Sequence, residues 1–203
     1  IVFVDNCYGE FVEDEEPLIA GADIIAGSLI KNPGGALAPR GGYIAGRKDL
    51  IRRAATRLTA PGIAFEVGSA LDFNRPAFQG LFMSPLIVQQ ALKGAIFASA
   101  MLQNRGFAVS PTPAEKRTDI IQAVRFEREA PLLAFAEGIQ AASPLEAYVH
   151  PEAAFLPGYD DAVIMAGGTF TQGSSIELSI DAPMRAPYIG YMQGGLSYAH
   201  VVY

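Results

Sequence analysis

Two largely apolar runs, one ending at an acid and the other at an amine, constrain this chain more than any other feature. Ile1-Val2-Phe3-Val4 stops at Asp5, and residues 22–30 stop at Lys31. A continuous β-forming run without polar alternation is expected of a strand covered on both faces in a parallel sheet. Beyond the breaks at Gly34 and Gly35, Tyr43-Ile44-Ala45 reads as a third short strand between glycines. Residues 48–58 then carry Leu50, Ile51, Ala54, Ala55 and Leu58 at helical spacing. Strands alternating with helices predict an α/β layered domain.

The best-delimited helix has Ser84 as its cap, Pro85 in its first turn, apolar positions through Leu102 and Gly106 as its terminator. It is expected to bridge two units, residues 1–105 and a smaller α+β unit over residues 106–203. In the second, residues 120–126 read as a strand and residues 130–142 as a helix. Three short strands follow over residues 163–166, 175–180 and 188–192, separated by glycine and proline loops. The acidic run Glu13-Asp14-Glu15-Glu16 reads as a solvated helix start, where negative charge favours the macrodipole.

Half of the 203 residues are hydrophobic, and 15 Lys+Arg against 21 Asp+Glu leave a net charge of −6. That apolar share supports a core and excludes global disorder. The basic residues read as scattered, so neither nucleic acid nor an anionic membrane is expected as a partner. Cys7 is the lone cysteine and cannot close an internal disulfide, which fits a reducing compartment such as the cytoplasm. Ile1 to Val4 is too short for a signal peptide. Because the chain starts inside a strand, an upstream portion is expected. The most apolar stretch, residues 86–102, contains Gln89, Gln90 and Lys93, favouring a buried helix over a membrane span.

Ligands of open α/β sheets bind outside the carboxyl ends of the strands, where Asp5 and Lys31 both fall. A simple ion pair would account for the two residues. A sharper reading is chemical, because a partly desolvated lysine amine condenses with a carbonyl to form a Schiff base. A neighbouring aspartate keeps a pyridine nitrogen protonated, which makes a bound pyridoxal ring an electron sink. Ser28, just upstream of Lys31, has a hydroxyl able to donate to a phosphate oxygen. Asn32-Pro33-Gly34-Gly35 predicts a loop beside the crevice, although turn chemistry explains it equally well.

Val4-Asp5-Asn6-Cys7-Tyr8 followed by Ser28-Leu29-Ile30-Lys31 resembles the pyridoxal-phosphate enzymes of the aspartate aminotransferase superfamily, fold type I, and most of all its sulfur-amino-acid branch. The phrases Asp5-Asn6-Cys7-Tyr8-Gly9-Glu10-Phe11, Gly27-Ser28-Leu29-Ile30-Lys31-Asn32-Pro33-Gly34-Gly35, Tyr159-Asp160-Asp161 and Gly194-Gly195-Leu196 look like the bacterial methionine gamma-lyase family, also called aluminium resistance proteins. The resemblance implies the C-terminal part of a large domain with a mostly parallel sheet, followed by a smaller α+β domain. It implies that Lys31 binds pyridoxal 5'-phosphate covalently and moves the substrate's alpha proton, that Asp5 pairs with the pyridinium nitrogen, and that Ser28 contacts the phosphate. The residue before the lysine, often threonine in that branch, is Ile30 here. The glycine-rich phosphate turn and ring-stacking aromatic of the superfamily are not in this chain, so it resembles the C-terminal half of a longer, oligomeric enzyme and is expected to be inactive alone.

The implied activity is carbon–sulfur lyase chemistry on a small amino acid; the alternative is a non-catalytic stress or aluminium-tolerance protein that keeps the fold. A substrate carboxylate calls for an arginine, and Arg185, in a loop between prolines, is the candidate, with Arg125, Arg40 and Arg75 as rivals and a surface role as the plain alternative. His150 and His200 have no metal-ligand spacing, so no metal site is expected. Cys7 reads as a packing residue. Tyr8 either touches cofactor or substrate or fills a strand-to-loop corner.

Overall fold

The computed structural model describes residues 1–203. β1 (Phe3–Asp5) and β2 (Ile24–Ser28) are parallel neighbours, with Asp5 opposite Ala26, and β3 (Gly42–Gly46) joins β2 antiparallel. A second sheet holds β4 (Ala108–Ser110), β5 (Gln122–Arg125), β6 (Val163–Ala166), β7 (Ser179–Pro183) and β8 (Ile189–Gln193) in the spatial order β4-β5-β8-β7-β6, antiparallel throughout. The helices are α1 (Lys48–Leu58), α2 (Asn74–Asn104), α3 (Glu129–Ala141) and the short α4 (Tyr198–Val202).

The fold is therefore mixed α/β, and the expectation of a mostly parallel sheet is corrected: β1 with β2 is the one parallel pairing. Parallel neighbours need a long crossover. Between β2 and β3 the chain instead coils into tight turns around the 3-10 segment Asn32–Gly34, so β3 returns antiparallel. Within residues 1–203 β1 also departs from its expected burial, with Phe3 64% exposed and β2 its one partner.

α2 begins at Asn74, well before the expected Ser84 cap. Ser84 instead donates from Oγ to the Gly80 carbonyl at 2.7 Å, and Pro85 sits inside the helix. Proline removes the bond to the carbonyl four residues back; that residue, Leu81, is 46% exposed, so water can take its place. α2 is long and apolar enough to cross a membrane, yet its Val88, Ala91, Ala95, Ala98 and Leu102 recur at helical spacing and are buried inside the protein. The helix packs on the turn after Lys31 at one end and on α4, β4, β5 and β8 further along.

The main core lies where α3 and the end of α2 cover the second sheet. Val124, Ile164, Ala166, Ile180 and Ala182 point inward from their strands and meet Leu102, Leu132 and Ala136, the period-2 and period-3.6 faces meeting as amphipathic elements must. Three further expectations are corrected. Residues 175–178 are not strand, because the buried Glu177 carboxylate accepts from the Phe170 and Thr171 N–H groups and bends the segment into a turn. The acidic run opens no helix: Glu16 accepts from the Phe11 N–H and Asn6 Nδ2, and Glu13 pairs with Lys116. The basic residues are less scattered than they read, since Lys48, Arg52, Arg53 and Arg57 share the exposed side of α1.

Candidate functional site

Asp5 closes β1, and Lys31 follows β2, so the two residues stand at the carboxyl ends of adjacent parallel strands. The Lys31 N–H donates to the Ser28 carbonyl at 3.3 Å, and its own carbonyl accepts from Gly34 at 3.1 Å. Asn32, fully buried, donates from Nδ2 to the Glu10 carbonyl at 3.0 Å. That bond ties the lysine's turn to the loop that carries Cys7 and Tyr8. Gly34 and Gly35 lie against the backbone of Gly80 in α2, and Gly35 has φ +50°, the left-handed region that favours glycine.

Lys31 is half-buried, and its Nζ lies 4.4 Å from the centre of the Tyr8 ring, a cation–π contact. Tyr8 is held at φ 74°, a costly conformation for a residue with a side chain. Burial works against the Lys31 ammonium, but Tyr8 and Cys7 beside it more than offset that and raise its pKa above the ordinary lysine value. Asp5 accepts from the Cys7 N–H at 3.0 Å. Hydrogen bonds from Cys7, helped by the charge of Lys31, hold its carboxyl below the usual range. Burial and then the Asp5 hydrogen bond push the Cys7 thiol up, which is the opposite of a thiolate nucleophile.

A cavity of about 490 Å³ connects this lysine to the second sheet; its wall includes Tyr8, Lys31, Ser174, Ser179, Asp181 and Gln193. The last four were missed in the sequence reading, although a signal was present. From Ile176 to Ala182 apolar and polar residues alternate, which places Ser179 and Asp181 on the face away from the core.

Of the other candidates, Ser28 accepts the Ile30 N–H at Oγ, 3.3 Å away, beside the lysine's turn. Arg185 pairs with Asp161 at 3.2 Å and borders a neighbouring cavity of about 510 Å³, which shares Met165 and Asp181 with the first. Arg125 is occupied by Glu127, and Arg40 lies over the Phe73 ring. No cluster of His, Cys, Asp and Glu able to hold a metal is formed.

Beneath the lysine's turn, Glu10 is buried, with Oε1 accepting from the Tyr43 hydroxyl at 2.8 Å and Oε2 without a partner. Burial raises its pKa. A carboxyl whose folded pKa is raised contributes most stability below its unfolded value of 4.5 and loses it as pH rises through the folded value. Glu10→Gln, which keeps the Tyr43 bond, is therefore expected to gain about 1 kcal/mol at pH 7–8. The gain disappears below pH 4.5 in urea unfolding curves recorded across that range.

The fold and site define a mixed α/β chain organised around one half-buried lysine and an aspartate at neighbouring strand ends. The chain belongs to the Methionine gamma-lyase family, whose model matches residues 1–203. It is 54% identical over 201 residues to the uncharacterized protein YnbB of Bacillus subtilis, covering 99% of this chain and 48% of that protein. Among solved structures it superposes with a TM-score of 0.94 and 55% identity on a candidate cystathionine beta-lyase involved in aluminum resistance from Clostridium acetobutylicum, covering 99% of this chain and 47% of that one. A carbon-sulfur lyase involved in aluminum resistance from Clostridium novyi gives a TM-score of 0.93 at 53% identity, with 100% and 47% covered. In each of these comparisons the chain spans about half the relative's own length.

Proposed function

We propose that this chain supplies the lysine side of a pyridoxal-phosphate-dependent enzyme that cleaves a carbon–sulfur bond in a small amino acid. The observation that carries the reading is the pair at the ends of β1 and β2: a half-buried amine facing a cavity and, at the neighbouring strand end, a carboxylate kept anionic. The donor set suits the cofactor, with an amine for its carbonyl, an acid for its ring nitrogen and a hydroxyl for its phosphate. When bound, the cofactor supplies an electron sink for the substrate's alpha carbon.

Lys31 Nζ would hold the cofactor at its carbonyl, and its amine is the group placed to take and return a proton at the substrate's alpha carbon. Only its neutral form does either, so the raised Lys31 pKa makes cofactor capture faster as pH rises. Asp5 would keep the cofactor's ring nitrogen protonated. Ser28 Oγ already accepts the Ile30 N–H, which leaves its own proton to donate to the phosphate. Arg185 takes the substrate carboxylate as a bidentate partner in exchange for Asp161.

The units 1–105 and 106–203 face each other across this cleft, and the intact enzyme works as a cytoplasmic homo-oligomer. The family's description names methionine and the Clostridium acetobutylicum relative's name cystathionine, and both are thioether amino acids. The test is an absorbance scan of the full-length protein mixed with pyridoxal phosphate, followed by assay for released thiol and keto acid. A visible band that borohydride bleaches, together with product, is expected. A protein that stays colourless overturns the reading in favour of a non-catalytic metal-tolerance role.

A further inference from the structure

The wall of the cavity farthest along from the lysine's own loop is not one that a plain thioether requires. Ser179 and Asp181 lie on one face of β7, and Ile180 and Ala182 are buried on the other. Gln193 of β8 is 3% exposed and stands opposite Ser179 in the sheet register. Its Nε2 donates to Ser179 Oγ and to Asp181 Oδ2, both at 3.0 Å. The carboxylate is thereby fixed through one oxygen, while Oδ1 receives no hydrogen bond from the protein. Ser174 is 1% exposed, borders the same cavity, and its Oγ has no partner.

Asp181 is also short of a cation. The charge of Lys31 acts on it, but none of the chain's ion pairs involves Asp181. Burial raises its pKa, with Gln193 and Lys31 opposing. A buried carboxylate is costly until a positive group answers it. An uncharged thioether side chain would leave Asp181 Oδ1 and Ser174 Oγ desolvated and unpaired, a penalty that a cationic side chain avoids.

We infer that Asp181 determines substrate specificity: the cavity selects amino acids whose side chain carries a second ammonium group beyond the sulfur, received by Asp181 Oδ1 and Ser174 Oγ. This rests on the lyase reading and deepens it. The test uses the full-length protein loaded with pyridoxal phosphate, mixed rapidly with L-cystathionine or L-methionine, and reads dissociation constants from the cofactor's absorbance before turnover, with kcat/KM measured separately. The parent is expected to favour L-cystathionine, and Asp181→Asn to weaken that ligand about tenfold or more while leaving L-methionine within about threefold. Asp181→Glu restores part of the preference. Equal weakening of both ligands, or a parent with no preference, overturns the inference even when the protein loads and turns over. Failure to load counts instead against the lyase reading.

Discussion

Lys31→Ala is expected to abolish the borohydride-sensitive visible band and to cut turnover by about 10³-fold or more. Loss of a general base alone costs roughly 10²–10⁴-fold, and the missing covalent attachment adds to that. The structure makes the assignment specific, because no other lysine borders the cavity. Lys48 lies on the outer side of α1, and Lys116 is paired with Glu13. Stability should change little, since the side chain's close neighbours are Cys7 and the Tyr8 ring, and a cation–π contact is worth about 0.5–2 kcal/mol. Lys31→Arg should fail as completely, because a guanidinium keeps the charge but does not lose its proton to act as a nucleophile. The decisive measurement is the absorbance of each variant after gel filtration with cofactor. A band retained by Lys31→Ala would assign the chemistry to a different amine.

The alignment of Asp5 and Lys31 was legible because it depends on local facts: an apolar β-forming run, a stop, and the rule that loops at strand ends form the crevice. Helix α3 was legible for the same reason, its apolar spacing over a dozen residues leaving little choice of face. What was not legible was set by contacts distant in sequence. The Pro85 position reads locally as a helix start, yet the helix runs through it, with Gly80 packed on the Lys31 turn and Ser84 Oγ bonded back to the Gly80 carbonyl. Ile176 and Leu178 read as strand, yet a single buried acid, Glu177, captures two backbone N–H groups and turns the chain. Periodicity reports which residues are buried; it does not report which hydrogen-bond partner claims the backbone.

The far wall of the site shows a second limit. Ser174, Asp181 and Gln193 lie some 140 residues or more from Lys31 in sequence, and only the packing of the two sheets around α2 brings them to one cavity. Arg185 was legible as a candidate by type but not by position, because its distance from the lysine depends on that same packing. Its pairing with Asp161 gives the phrase Tyr159-Asp160-Asp161 a physical role in holding the guanidinium beside the cleft.

At the lysine's end that packing includes a contact between backbones, and Gly80→Ala should break it. A Cβ on Gly80 would overlap the Gly34 carbonyl oxygen and lie 2.8 Å from the Gly34 carbonyl carbon. Neither atom can rotate away, as the end of a side chain would, so α2 and the turn must separate. Overpacking of this kind costs about 1–3 kcal/mol, occasionally more. For a chain of this size each kcal/mol lowers the midpoint of thermal unfolding by about 2–4 °C. The damage is also directional. Gly34 closes the hydrogen-bonded turn onto the Lys31 carbonyl, so moving Gly34 moves the lysine relative to Tyr8 and Asp5. Leu132→Ala, in the fully buried core beneath the second sheet, provides the control, with an expected cost of about 2–5 kcal/mol but no contact with the turn. Thermal unfolding and cofactor absorbance measured on both variants separate the two effects. Gly80→Ala should shift or weaken the band at temperatures where it is still folded, and Leu132→Ala should not. If the two variants alter the band alike, the glycine contact does not position the lysine.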